Sequence, residues 1–173
     1  LTLFFLIALM IEFLPEKNDW LSGQLHPVTS SASFDFNPVY SASGNSLAFI
    51  RQKSASNEIV VKDLVLGTEQ IVLSGSANYQ SLTWSYDNES FYFIVREEHT
   101  EWVGAISIEG GPVNRIFTIT EPNRIWSIAD DSNYLYYLMV DVPVNNSPSS
   151  RLIRRNKFTG AEDNLLKNDE SFT

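Results

Sequence analysis

The chain has 173 residues, 43% of them hydrophobic and 13% aromatic, which is enough to bury the core of one domain and excludes a disordered tail. Its 21 acidic and 12 basic residues give a formal charge of −9, and the lack of a large lysine and arginine cluster argues against direct nucleic-acid binding. The absence of cysteine excludes a disulfide framework and a thiol site.

The chain begins with an apolar run over residues 1–11, followed by Glu12 and then Phe13-Leu14-Pro15. A bilayer span needs about 20 apolar residues, so we interpret residues 1–15 as the C-terminal part of a transmembrane helix that begins upstream. Bulky residues occupy the place where a signal peptidase needs small ones. The flank after Pro15 is poor in positive charge, which predicts that the rest of the chain is non-cytoplasmic. A cleaved signal and a buried core helix are the alternatives.

A repeat follows from about residue 34. Residues 84–93 match residues 40–49 at a spacing of 44 positions, and the same spacing leads on to residues 128–137. In the third copy the glycine that matches Gly67 and Gly111 comes five positions late, as Gly160. The surplus falls in residues 144–150, a polar loop with proline of the kind that absorbs insertions.

Each copy contains four short β-prone runs separated by turn residues, which is the pattern of a propeller blade. In the second copy the predicted strands are residues 80–84, 90–96, 102–108 and 113–118. Gly and Asn residues between runs tolerate the positive φ of tight hairpins. Apolar pairs at alternate positions share one face of a strand and are predicted to pack between blades: Leu47 with Phe49, Phe91 with Phe93, and Leu135 with Tyr137.

In the first copy, residues 36–49 read Phe-Asn-Pro-Val-Tyr-Ser-Ala-Ser-Gly-Asn-Ser-Leu-Ala-Phe. This stretch resembles the TolB-type propeller repeat, whose core reads roughly aromatic-x-Pro-x-Trp-Ser-Pro-Asp-Gly-Lys-x-Ile-Ala-Phe. The second copy keeps Trp84-Ser85 and Asp87, with Asn88 in place of glycine, and the third keeps Asp131 and the hydrophobic spacing.

This resemblance implies an all-β propeller of four-stranded antiparallel blades. The blades are expected at residues 34–78, 79–122 and 123–167, with the start of the next blade after them. Residues 16–33 are expected to be a linker and, at residues 24–29, the outer strand of the blade that closes the ring. Because three blades do not close a ring, we expect an incomplete propeller that belongs to a longer protein.

A single span followed closely by a TolB-like propeller is similar to the layout of CadC- and ToxR-like transcriptional regulators. The similarity implies a non-catalytic periplasmic module for sensing or protein interaction, anchored in the inner membrane by one pass. A protein partner or small ligand would bind in the periplasm, DNA would be bound only by a cytoplasmic winged-helix domain upstream, and the protein could form a homodimer. The alternatives are the propeller of a membrane-anchored prolyl-oligopeptidase-like peptidase and a TolB-like envelope interaction protein.

We predict no catalytic, cofactor-binding or metal-binding residues. The sequence has no Gly-x-Ser-x-Gly motif and only two histidines. His26 is assigned a structural role in the strand-like run 24–29. His99 lies in an acidic run at a predicted hairpin tip, where a solvated turn is favoured over a zinc or manganese site because no His-Glu-x-x-His pattern is present. Residues 130–133 lack the ligand pattern of a calcium loop and are interpreted as a hairpin turn.

Two groups of residues have both a packing and a binding interpretation. Six aromatic residues either pack between blades or line a sugar-binding surface: Trp84, Trp102, Trp126, Tyr134, Tyr136 and Tyr137. Four basic residues either protect a strand edge or bind an anionic ligand or a partner's acidic patch: Arg151, Arg154, Arg155 and Lys157.

Overall fold

The structure is a computed structural model and describes residues 27–29, 31–141 and 149–166. The twelve strands in these residues all belong to one compact unit, Ser31–Thr173. Blade 1 consists of β1 (Phe34–Tyr40), β2 (Ser46–Gln52), β3 (Asn57–Asp63) and β4 (Glu69–Gly75). Blade 2 consists of β5 (Asn78–Trp84), β6 (Ser90–Arg96), β7 (Thr100–Ser107) and β8 (Asn114–Thr120). Blade 3 consists of β9 (Asn123–Asp130), β10 (Tyr134–Asp141), β11 (Ser149–Asn156) and β12 (Glu162–Asn164).

Each blade is a meander in which strands adjacent in sequence pair antiparallel, in the orders β1-β2-β3-β4, β5-β6-β7-β8 and β9-β10-β11-β12. Parallel pairing needs a long crossover connection. Because the turns between these strands are short, strands adjacent in sequence pair antiparallel instead. The prediction of four-stranded antiparallel blades is therefore confirmed.

The central strands of blade 2, β6 and β7, are buried on both faces because a blade packs on each side. Phe91 and Phe93 of β6 are fully buried in a core shared with Ala48 and Ile50 of blade 1. Ile94, the residue after Phe93, lies in a second core with Leu135 and other residues of blade 3. Alternate side chains of one strand therefore contact different neighbours.

All six residues of the predicted apolar pairs are buried, and two pairs, Phe91 with Phe93 and Leu135 with Tyr137, pack between described blades as expected. Leu135 and Tyr137 are 1% and 2% exposed in the core between blades 2 and 3. Leu47 and Phe49 form a separate buried cluster with Val60, on the face of blade 1 opposite to the core that it shares with blade 2.

The length of the first hairpin in each blade explains why the 44-residue spacing holds between blades 1 and 2 and fails at the same place in blade 3. Gly44 and Asn88 adopt positive φ angles of 73° and 61°, which these residue types tolerate. In blade 3 the corresponding turn is only residues 131–133, two residues shorter than residues 41–45 or 85–89. Strand register therefore makes Asp130, which pairs with Leu135, the counterpart of Trp84. The constant spacing of 44 assigns Ile128 to that position and is wrong there.

Several predictions fall wholly or partly outside the described residues. These include the membrane segment 1–15, most of the linker 16–33, the start of a further blade after residue 167 and most of the loop 144–150, of which Ser149 and Ser150 begin β11. Of the strand expected at residues 24–29, residues 27–29 are described and form no strand. In the ranges that the structure describes, no helix has the length and apolarity needed to cross a bilayer.

Candidate functional site

The first hairpins of the three blades are linked in a row, which we call the hairpin row (residues 41–45, 85–89 and 131–133, with the strand ends beside them). The Ala42 amide donates to Asn88 Oδ1 at 2.9 Å, from blade 1 to blade 2. The Tyr86 amide donates in the same way to Asp130 Oδ2 at 2.8 Å, from blade 2 to blade 3. Hydrogen bonds across blades therefore fix the backbone of the hairpin row.

The hairpin row carries two large exposed aromatic side chains. Tyr40, at the end of β1, is 61% exposed, and Tyr86, in the turn of blade 2, is 67% exposed. Both occupy hairpins held by the cross-blade bonds of Ala42 and Tyr86. This gives the row a combination of aromatic rings and polar turn atoms on a fixed backbone.

A cleft of about 330 Å³ opens beside the hairpin row between blades 1 and 2, and we call it the neutral cleft. Its lining consists of uncharged side chains: Ser41, Ser43, Ser46, Val61, Gln70, Trp84, Asn88 and Ile108. Trp84 lies on its inner wall, where Nε1 donates to the Val39 carbonyl of blade 1 at 3.1 Å.

A second cleft, of about 430 Å³, lies between blades 2 and 3, and we call it the basic cleft. Its lining combines three basic residues with aromatic, aliphatic and small ones: Tyr92, Arg115, Ile116, Leu135, Arg155, Lys157, Phe158, Thr159 and Gly160. The carboxylates that pair with the three cations are not part of this lining. The two clefts therefore differ in charge.

Each cation of the basic cleft is held in place. Lys157 Nζ lies 2.9 Å from Oδ1 of Asp130, whose side chain has no exposed surface. Arg155 pairs with Glu162 at 2.6 Å, with its guanidinium carbon 4.9 Å from the centre of the Phe117 ring.

Arg115 also lines the basic cleft, but its guanidinium lies on the opposite face of blade 2, against Trp102. Its guanidinium carbon lies 4.3 Å from the centre of the Trp102 ring, and Nη2 lies 3.4 Å from Glu97 Oε1. Its side chain is 51% exposed. Hydrogen bonds from Trp102 and Thr100 hold the pKa of Glu97 below its ordinary value, so this partner stays ionised near neutrality.

The two histidine predictions have different outcomes. His26 lies outside the described residues. His99 lies in the loop between β6 and β7, where its ring nitrogens are 3.7 Å from Glu98 and 3.5 Å from Glu121 and its side chain is 74% exposed. Within the described ranges, no group of three or more His, Asp, Glu or Cys side chains could hold a metal ion.

The run 130–133 forms the end of β9 and the turn before β10, as predicted. Asp131 Oδ1 accepts hydrogen bonds from the amides of Asn133 and Tyr134, each at 2.7 Å, and Oδ2 accepts one from the Tyr136 hydroxyl at 2.8 Å. These donors hold the pKa of Asp131 below its ordinary value. The carboxylate closes the turn.

The predicted aromatic set does not form one surface. Trp84 and Trp102 pack against the core between blades 1 and 2, and Tyr137 is buried between blades 2 and 3. Trp126 lies on β9, the strand at one edge of the blade 3 sheet, and is 73% exposed. The packing interpretation therefore applies to three of the six residues at least.

The predicted basic group divides between locations. Arg155 and Lys157 line the basic cleft. Arg154 instead pairs with Asp163 at 2.8 Å, 4.7 Å from the centre of the Tyr134 ring, and Arg151 donates to Asn123. Arg115, which sequence reasoning did not connect with this group, also lines this cleft, although its guanidinium stacks on Trp102 on the opposite face of blade 2. The signal that could have identified it is the order of the blades, because the outer strand of one blade lies beside the last hairpin of the next.

Comparisons with known proteins identify the fold. Neither a family model nor a curated protein matches the sequence. Among solved structures, TolB from Acinetobacter baumannii matches with a TM-score of 0.64 at 16% identity, over 82% of this chain and 34% of that one. The putative TolB from Agrobacterium tumefaciens matches with a TM-score of 0.64 at 17% identity, over 80% of this chain and 51% of that one. The fold is that of a TolB-like β-propeller.

TolB-like propeller architecture also occurs in proteins with other activities. An oligogalacturonate lyase from Vibrio parahaemolyticus matches with a TM-score of 0.61 at 14% identity, over 80% of this chain and 42% of that one. The chain thus spans between about a third and a half of the length of these structures. At such identities the likeness shows the fold alone.

Proposed function

We propose that this TolB-like propeller segment is a non-catalytic recognition module and that its hairpin row binds a protein partner. The observation that carries the proposal is the exposure of Tyr40 and Tyr86 on hairpins fixed by cross-blade hydrogen bonds. Tyrosines are enriched in protein interfaces because they bury a large area and lose few rotamers. A backbone that is already ordered lowers the entropic cost of association further.

In the longer protein, we infer that the module is the periplasmic part of a transcriptional regulator anchored in the inner membrane. Two features support this inference: the apolar residues 1–11 at the start of the chain and the TolB-like blades that follow about 20 residues later. Partner binding would then bias the conformation or dimerisation of a DNA-binding domain across the membrane.

The partner surface is tested by site-specific crosslinking in cells. A photoreactive amino acid replaces Tyr86 in the full protein, and the matched control replaces Ile71, which is 52% exposed on the outer strand of blade 1. The proposal predicts a discrete crosslinked protein from position 86 and none from position 71. The same adducts from both positions, or none from position 86, would contradict it.

The regulatory role is tested with Tyr86→Ser in the chromosomal copy. The expected result is a changed transcript profile at an unchanged amount of membrane-bound protein. Release of the wild-type protein as a soluble periplasmic product would overturn the regulator assignment and favour an envelope interaction protein. A loss of peptidase activity in a deletion strain would favour the peptidase alternative.

A further inference from the structure

We propose that the neutral cleft binds an uncharged sugar, with one face of the sugar ring against Trp84 and its hydroxyls toward the amide side chains of Gln70 and Asn88. The cleft lies beside the hairpin row, but this proposal does not depend on the partner surface proposed above, because neither Tyr40 nor Tyr86 lines the cleft. The volume of about 330 Å³ lies at the lower end of the range of small-molecule pockets, which suits a small ligand.

The neutral cleft has an apolar wall where the basic cleft has an ion pair. Strand register makes Trp84 the counterpart of Asp130. Ile108 is the counterpart of Lys157, because the amide of each donates to a carbonyl in the first hairpin of its own blade, at 3.0 Å. Asp130 and Lys157 pair at 2.9 Å, whereas the neutral cleft has an indole ring and an aliphatic side chain at these positions. An aromatic surface of this kind can pack against the C–H face of a sugar ring.

The polar side chains of the lining retain hydrogen-bonding capacity. Asn88 Oδ1 accepts a bond from the Ala42 amide at 2.9 Å, and Gln70 Nε2 donates to the Ile108 carbonyl at 3.3 Å. Among the described residues, no partner bonds to Asn88 Nδ2, to Gln70 Oε1 or to the Ser46 hydroxyl. The cleft therefore offers both donors and acceptors, and a sugar hydroxyl can pair with either because it donates and accepts.

The groups that would contact the sugar are held in place before it binds. The bonds of Asn88 and Gln70 both connect blade 1 with blade 2. Trp84 Nε1 donates to the Val39 carbonyl at 3.1 Å, and its ring centre lies 4.4 Å from that of the buried Phe91. Side chains that are already ordered lower the entropic cost of binding.

The lack of charge in the lining selects an uncharged ligand. The lining side chains carry hydroxyl, amide and apolar groups but no carboxylate, ammonium or guanidinium. A charged group on the ligand would lose hydration without gaining a counter-charge. The formal charge of −9 on the chain adds repulsion for an acidic sugar. We therefore expect uncharged sugars to bind more tightly than uronic acids or amino sugars.

The test maps chemical shifts of the full wild-type chain with four uncharged sugars: glucose, galactose, mannose and N-acetylglucosamine. At least one is expected to shift the amide signals of Ser43, Ser46 and Gln70, in the neutral cleft, and to leave Thr159 and Gly160, in the basic cleft, unchanged. An absence of shifts in the neutral cleft with every sugar at tens of millimolar would overturn the proposal. Shifts of equal size in both clefts would also overturn it.

Charged counterparts test the selectivity of the neutral cleft. Each sugar that binds is compared with its counterpart, which is glucuronate, galacturonate, mannuronate or glucosamine respectively. We expect the counterpart to bind about tenfold more weakly, measured from the shifts of Ser46 and Gln70, because the cleft has no charge to pair with it. Equal or tighter binding of the charged sugar would contradict the proposal.

Two asparagine variants provide a matched comparison. Asn88→Asp keeps the oxygen that accepts from Ala42 and tolerates the φ of 61°, but it replaces the N–H donors with a charged oxygen. Asn133→Asp adds the same charge to the first hairpin of blade 3, outside the cleft. We expect about tenfold weaker sugar binding in the first variant and less than about a twofold change in the second. Equal effects would contradict the proposal, and the wild-type mapping does not depend on the folding of either variant.

Discussion

The buried carboxylate of Glu101 joins blade 2 to blade 3. The residue is 2% exposed, and its Oε2 accepts a hydrogen bond from the Ile125 amide of β9 at 2.6 Å. Its Oε1 lies 2.5 Å from Arg96 Nε and 3.3 Å from Arg124 Nη1. Asn57 makes a similar connection one blade earlier by donating to the Ala77 carbonyl at 2.8 Å. Single polar side chains at the start of the third strand thus link one blade to the chain of the next.

Replacement of Glu101 is predicted to destabilise the fold. Glu101→Gln removes the charge that both arginines face, and its amide group cannot accept hydrogen bonds at both of its ends. We expect a loss of about 2–4 kcal/mol in the free energy of unfolding, measured by urea denaturation. The control Glu98→Gln, at a side chain that is 88% exposed, should change it by less than about 0.5 kcal/mol. Similar midpoints for the two variants would contradict the role of Glu101.

Acid is predicted to weaken the fold through Glu69. Its hydrogen bond from Arg51, at 2.8 Å, holds the pKa of Glu69 below the ordinary value of 4.5. Near and below the ordinary pKa of a glutamate, the unfolded chain therefore binds more protons than the native chain. The free energy of unfolding consequently falls as the pH decreases below about 5. The variant Glu69→Gln should lose less stability than the wild type between about pH 5 and pH 3. An equal loss, measured by urea denaturation at each pH, would contradict the assignment.

At the scale of the element, β7 has a position where only glycine fits. A Cβ atom on Gly104 would lie 2.8 Å from ring atoms of both Phe93 and Trp102. Gly104→Ala is therefore predicted to lower the free energy of unfolding by about 1–3 kcal/mol, through overpacking in the core between blades 1 and 2. In the control Gly75→Ala, the new Cβ would meet only the Tyr79 hydroxyl at 3.2 Å, so a smaller loss is expected in thermal unfolding. The reverse order would show that this core is not packed as described.

The strands themselves are largely readable from the sequence. Alternating apolar residues predict β6 at residues 90–96, and the structure has the strand Ser90–Arg96. The outer strand β8 is predicted at residues 113–118 and found at Asn114–Thr120, because its more exposed side chains alternate less clearly. The error in blade 3 has a physical cause: Asp131 closes a shorter turn with its own carboxylate, so a constant repeat length misplaces the end of β9.

At the scale of the whole molecule, the contacts between blades are the part that sequence reasoning could not supply. The repeat predicts that Leu135 and Tyr137 face a neighbouring blade. It does not predict that Ile116 of blade 2 would line one cleft with Lys157 of blade 3, because that depends on how far one twisted sheet is rotated relative to the next. For the same reason, basic residues that are close together in the sequence have different surroundings in the structure: Arg155 and Lys157 line the basic cleft, whereas Arg154 pairs with Asp163.

The packing of successive TolB-like blades is tested most directly by one distance between blades 2 and 3. The rings of Phe117, on β8, and Tyr137, on β10, have their centres 5.0 Å apart. The account predicts a nuclear Overhauser cross-peak between the protons of these two rings in the full chain. Its absence, with both rings assigned and the strands of each blade paired as described, would contradict this packing.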